Sequence, residues 1–94
     1  MSFTKETAIE RAKQDLAART GIHENDISIQ TIGDRDFPDG ALGAPVDGEM
    51  SAQMISSGWQ IILATREANY EYRADKYQLR LYDFKGSNYV VASE

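Results

Sequence analysis

A chain of 94 residues with ten basic and fifteen acidic side chains carries a formal net charge of −5, and it holds no cysteine. That length makes one domain, 1–94, with enough chain to build a core unaided. The acidic balance, with basic residues scattered from Lys5 to Lys85 and never adjacent, argues against a nucleic-acid or anionic-membrane partner, both of which call for clustered Lys and Arg.

Without cysteine there is no disulfide, no thiolate-bound zinc or iron–sulfur cluster and no thiol nucleophile. This suits a reducing compartment, and the expected location is cytoplasmic. "MSFTKETAIERAK" has charges every few residues and no apolar core of the kind that a signal peptide needs. No stretch approaches the ~18 apolar residues of a membrane span.

Residues 4–20 read as an amphipathic helix. Ala8, Ile9, Ala12, Leu16 and Ala17 recur at helical spacing, with Glu6, Glu10, Arg11, Lys13, Asp15 and Arg19 around the remaining circumference. Thr4 is the expected N-cap, with Phe3 before it as a hydrophobic staple over Ala8. Glu6 in the first turn and Arg19 in the last complement the helix dipole. Gly21 supplies a left-handed stop, and Ile22 closes it by contact.

"DISIQTI" follows. Ile27 and Ile29 alternate with polar residues until Ile32 breaks the period, which predicts a short strand ending in a bend near Gly33. A later strand places Trp59, Ile61 and Leu63 on one side and Gln60 and Ile62 on the other. "TREAN" offers a turn, Tyr70 and Tyr72 alternate with Asn69, Glu71 and Arg73, and Leu79 and Leu81 alternate with Gln78, Arg80 and Tyr82. "DFKGSN" makes a last turn before Tyr89, Val90 and Val91. These strands at short spacing form an antiparallel meander. One helix and one half-apolar sheet must cover each other, so the expected fold is α+β: the N-terminal helix on one face of a four- or five-stranded antiparallel sheet.

Between the first strand and the meander lies "DFPDGALGAPVDGEM", which contains both prolines and three of the seven glycines. Unstructured loops of this length are uncommon in compact domains unless they are functional or disordered. Pro38-Asp39-Gly40 and Gly48 are turn formers, and Leu42 is an apolar anchor for an ordered, Ω-like excursion over one edge of the sheet. Such a loop is also a natural recognition element, because preordering lowers the entropy lost on binding.

Catalysis has little to build on. His23 is the only histidine and stands in a polar turn, "GIHEND", so no Ser/His/Asp or Cys/His relay forms around a second imidazole or a thiol. Ser51, Ser56 and Ser57 lie in no nucleophile elbow. Five acids, Asp34, Asp36, Asp39, Asp47 and Glu49, fall close together, but turn formation accounts for them. "DRDFPDG" imitates a calcium loop with the third acid one place late and a proline intruding. No metal and no cofactor is expected, and the chain is read as non-enzymatic. The tyrosines of the C-terminal strands read chiefly as sheet residues.

"FPDGALGAP", then "GEMSAQMISSGWQIILA" and "YEYRAD", resembles a family of small, mostly uncharacterised bacterial domains with a Trp-Pro-Asp-(Gly/Ala)-x-Leu-Gly-Cys-Pro segment, a following glutamine, a Gly-Tyr strand start and a Tyr-x-Tyr strand. Pro38, Asp39, Gly40, Leu42, Gly43, Pro45, Gln53, Gly58, Ile61, Leu63, Tyr70 and Tyr72 carry the match. Phe37 stands where that family has tryptophan, Trp59 where it has tyrosine, and Ala44 where it has cysteine. Many of those relatives are exported and could pair that cysteine, a bridge that Ala44 rules out here. The resemblance implies the same helix-and-sheet layout and a defined central loop, and it supplies no catalytic residue. The layout also resembles helix-on-sheet domains of the cystatin or PepSY kind, some of which inhibit or regulate proteases.

The expected role is a small binding or regulatory domain that engages another protein through Phe37, Pro38, Asp39, Gly40, Leu42, Gly43, Pro45 and Gln53. A protease inhibitor is the alternative, ahead of a small hydrolase or a calcium-binding protein. Oligomeric state is left open by the sequence, although an exposed sheet edge is one place for a second copy.

Overall fold

The computed structural model describes residues 2–93. Helix α1 spans Lys5–Thr20 and starts as expected: the Thr7 amide donates to Thr4 Oγ1 and the Thr4 amide donates to Thr7 Oγ1 at 2.8 Å, a reciprocal cap with Thr7 in the place usually held by Glu. It ends at Gly21, which adopts φ 77° and donates its amide to the Ala17 carbonyl. A 3-10 turn, Glu24–Asp26, is capped by exposed His23, whose Nδ1 accepts from the Asn25 amide. The lone imidazole closes a turn.

Five strands follow: β1 Ser28–Phe37, β2 Ser56–Ala64, β3 Asn69–Ala74, β4 Gln78–Phe84 and β5 Ser87–Ser93. They form one sheet in the order β1-β2-β3-β4-β5, with every neighbouring pair antiparallel. The α+β meander is therefore present with five strands.

β1 differs from its sequence reading in two ways. It runs past Gly33 to Phe37, because Asp34, Arg35, Asp36 and Phe37 pair in register with Trp59, Gly58, Ser57 and Ser56. Backbone pairing does not require an apolar side chain. The lost period at Ile32 is a β-bulge: Ile29 faces Leu63 and Ile32 faces Ile61, with Gln30 as the extra residue. One added residue returns Ile32 to the face it would otherwise leave.

The period-2 alternation sends Ile61, Leu63, Tyr72, Ala74, Leu79 and Leu81 to one face, where they bury against Ala8, Ala12, Leu16 and Ile27. Tyr72 brings a hydroxyl into this core and donates it to Asp15 at 2.8 Å. Arg19 holds the same carboxylate at 2.7 Å and lies over the Tyr89 ring. Gly58 is obligatory at its place in β2, since a Cβ there would overlap the Ala74 carbonyl. The β4–β5 hairpin closes on Lys85 and Gly86, both at positive φ, as a two-residue turn with the twist of the strands demands. No helix among the described residues is long and apolar enough to cross a membrane.

Candidate functional site: the loop-covered face of the sheet

The face opposite α1 is built from the other half of each alternating strand: Glu71 and Arg73 of β3, and Gln78, Arg80 and Tyr82 of β4. Arg73 and Arg80 stand directly opposite each other. Like charges in that relation repel, and both guanidiniums are buried. Residues 38–55 resolve the conflict by lying across them. The excursion thus covers a face of the sheet, a correction to the edge position read from sequence.

The loop is held by its own backbone. Arg73 Nη1 donates to the carbonyls of Leu42 (3.0 Å) and Gly43 (3.2 Å), Arg80 Nη1 to that of Ala44 (3.1 Å), Gln78 Nε2 to that of Gly40 (2.8 Å), and Asn88 Nδ2 to that of Pro45 (2.9 Å). The Asp39 and Ala41 carbonyls accept from the Leu42 and Ala44 amides. Every carbonyl from Asp39 to Pro45 is therefore satisfied. So is every amide from Gly40 to Ala44: Asp39 Oδ1 accepts from Ala41 (2.9 Å) and Gly43 (3.0 Å), and the Gly40 amide reaches the Ala52 carbonyl. A segment with no ladder of its own must find such partners if it is buried, and strand side chains supply them here.

Charge finishes the clamp. Glu49 meets Arg80 in a bidentate pair, Oε1 with Nη1 at 2.7 Å and Oε2 with Nη2 at 2.5 Å, the geometry that suits a guanidinium best. These hydrogen bonds, aided by the Val46 amide and the guanidinium charge, hold the Glu49 carboxyl below its usual range against the opposing effect of desolvation. Arg73 Nε donates to Glu71 at 2.6 Å, and its guanidinium lies 3.8 Å from the centre of the Tyr82 ring and 5.5 Å from that of Phe37.

The sequence-selected residues divide. Phe37 and Leu42 are fully buried, joined by Ala41 and Ala44 in a small apolar group beneath the loop, outside the main core on the helix side. Leu42 is thus an anchor, held at φ 57°, but it anchors to the second face. Gly43 is required: at φ 66° a Cβ would lie 2.8 Å from Arg73 Nη1. Asp39 is directed into the loop's own amides. Pro38, Pro45 and Gln53 are exposed, and Gln53 stands apart from the clamp.

Sequence reasoning missed Arg73, Gln78, Arg80, Asn88 and Glu49, the residues that hold the loop. It placed Arg73, Gln78 and Arg80 only as the residues alternating with the apolar ones, and their one signal was an Arg-containing polar face on both β3 and β4. It also missed Met50, Met54 and Ile55 on the returning limb, which are 98 %, 63 % and 70 % exposed. Three large apolar side chains within six residues, displayed rather than buried, are the most apolar exposed stretch of the loop.

The helix side offers a different feature, an open cleft of about 830 Å³ beside the start of α1, with Phe3, Lys5, Asp34, Asp36, Ser57 and Trp59 among its walls. Within it Lys5 lies 3.7 Å from Asp34, and Ser57 Oγ donates to Asp36 at 2.8 Å. Asp34 and Asp36 therefore point to the helix side while Asp39 is turned into the loop, so the calcium-like spacing does not converge. Among the described residues no three acidic or histidine side chains gather as a metal would require.

A family described as a domain of unknown function, DUF8738, matches residues 9–81. The chain belongs to that family, and the matched span runs from α1 through the loop into β4. No curated protein and no solved structure matches it.

Proposed function

We propose that this member of the DUF8738 family is a non-enzymatic protein-binding module. It uses residues 38–55 as a rigid platform and Met50, Met54 and Ile55 as its contact residues. The observation that carries this reading is the contrast within one loop: residues 39–49 are fixed by side chains from three strands, and the next six residues present three uncovered apolar side chains. Contiguous exposed apolar surface marks interaction sites, and methionine adapts to irregular apolar partners. Fixing the base of the loop removes much of the ordering cost of binding.

The partner surface that fits is an apolar groove with a basic rim, complementary to a chain of net charge −5. Phe37, Leu42 and Gly43 shape the platform from beneath it, and Pro38 and Pro45 flank it.

The test is a purified interaction. A partner identified by cross-linking from residue 54 is reconstituted with the wild-type chain and with Met50→Gln/Met54→Gln/Ile55→Gln, whose fold is checked by circular dichroism. The expected result is a loss of affinity of at least about tenfold, or 1.4 kcal/mol, together with weaker binding at high salt. Equal affinity of the triple variant overturns the reading. Inhibition of a protease that disappears in the same variant would make the partner a protease and the module an inhibitor.

A further inference from the structure

We infer that the free edge of β5 is a self-pairing surface, through which two copies of this chain join β5 to β5, antiparallel, about a two-fold axis normal to the sheet. Among the described residues β5 is hydrogen-bonded to β4 alone, which leaves its outer edge open. An open edge is a template for another strand, and monomeric proteins usually blunt it with charge or proline. Ser87–Ser93 contains neither. β5 itself carries one extra residue, Val91, between Val90 facing Arg80 and Ala92 facing Leu79. The other irregularity of the ladder, between Leu81 and Phe84, adds its residue to β4.

The other edge, β1, is managed differently. Asp34, Arg35 and Asp36 stand in succession on it, all exposed. A two-fold normal to the sheet sets some residue opposite its own copy, and a centre on any of these three sets like charge against like. Their neutral neighbours, Thr31, Ile32 and Gly33, are cut off on the far side by the Gln30 bulge. On β5, every register within Ser87–Ser93 opposes neutral residues only, and Ser87–Val90 runs unbulged on its own strand.

β5 also displays apolar surface. Tyr89 and Val90 are 36 % and 38 % exposed, and they point to opposite faces because their partners across the ladder are Leu81 and Arg80. Pairing centred on Val90 would cover both, setting Val90 against its own copy and Tyr89 against Val91, the β-branched and aromatic pairs that sheets favour. The second copy is the occupant that this edge fits, since a two-fold centred on Val90 sets Ser87 opposite Ser93 and Tyr89 opposite Val91, polar ends against polar ends and apolar middle against apolar middle. This surface is separate from Met50, Met54 and Ile55, and the two readings stand or fall independently.

The decisive measurement is sedimentation equilibrium of the full chain from micromolar to submillimolar concentration, with Val90→Glu and Val90→Thr beside it. Glu at position 90 faces Arg80 within its own chain, so the fold tolerates it, yet it meets its own copy across the edge. The expected result is a monomer–dimer equilibrium for the wild type and for Val90→Thr, with Val90→Glu dissociating at least about tenfold more readily. Hydrogen exchange of the wild type gives an answer that needs no variant: amides of residues 87–93 gain protection as concentration rises, and those of β1 and residues 50–55 do not. A wild type that stays monomeric at submillimolar concentration overturns the inference. So does an association that Val90→Glu leaves intact, or one whose added protection falls on β1 or residues 50–55.

Discussion

The two faces of the sheet are covered in different physical ways. On one, α1 lays Ala8, Ala12 and Leu16 over Ile61, Leu63, Leu79 and Leu81, and burial of apolar area supplies the adhesion. On the other, a segment with no regular secondary structure is held by Arg73, Gln78, Arg80 and Asn88 through its carbonyls, with only Phe37, Ala41, Leu42 and Ala44 beneath it. The first cover can slide and re-pack by small amounts at modest cost. The second is directional, because each carbonyl has one donor at one distance. A shape needed for recognition is better kept by the second kind, and an adhesive core by the first.

The comparison sharpens when each face is damaged separately. Leu16→Ala opens a cavity under α1 and is expected to cost about 3–5 kcal/mol, seen as a lower midpoint in urea with no added acid sensitivity. Leu42→Ala on the opposite face should cost about 2–4 kcal/mol. Its signature differs: in native-state hydrogen exchange the amides of residues 40–44 exchange early while those of β3 and β4 keep their protection. A negligible cost would mean that Leu42 is no anchor. If residues 40–44 and α1 instead lose protection together, the two covers are one cooperative unit and the contrast fails.

Arg80→Lys keeps the charge and loses the fork that spans Glu49 and the Ala44 carbonyl, which a compact ammonium cannot reproduce. About 2–3 kcal/mol is expected, again with early exchange confined to the loop. The smallest effect is the most specific. Glu49 has its carboxyl held below the ordinary 4.5, so its contribution is present at neutral pH and is lost as pH falls below that value and through its own folded-state pKa. Loop amides should lose protection in that acid window before α1 does. Glu49→Gln should cost about 1–2 kcal/mol at neutral pH and abolish the acid step. An acid step that survives Glu49→Gln would assign it to another carboxylate.

Tyr72 marks the opposite limit of pH on the opposite face. Burial, followed by its hydrogen bond to Asp15 and the charge there, pushes its phenol far above the ordinary range. A raised acid of this kind stabilises the fold below the ordinary tyrosine pKa of about 10 and gives that up as pH climbs beyond it. Acid therefore loosens the loop cover and alkali loosens the helix cover. Each can be read with the other as its internal control.

Helix α1, its caps at Thr4 and Gly21, and the alternation through Trp59, Ile61, Leu63, Tyr72, Leu79 and Leu81 were written in the order of residues alone, because burying one face imposes a period that a single strand or helix already shows. Turn formers placed the hairpins, and the buried Leu42 was legible as the one large apolar residue in the turn-rich run 38–45. What residue order could not contain was which groups would meet across the sheet. Arg73 and Arg80 become neighbours only when β3 and β4 adopt their register, and Glu49 and the loop carbonyls reach them only when the chain folds back over that face. Pairwise polar contacts between distant residues have no period and leave no local trace, so the clamp, the bulge that rescues Ile32 and the uncovered Met50, Met54 and Ile55 were decided by tertiary structure.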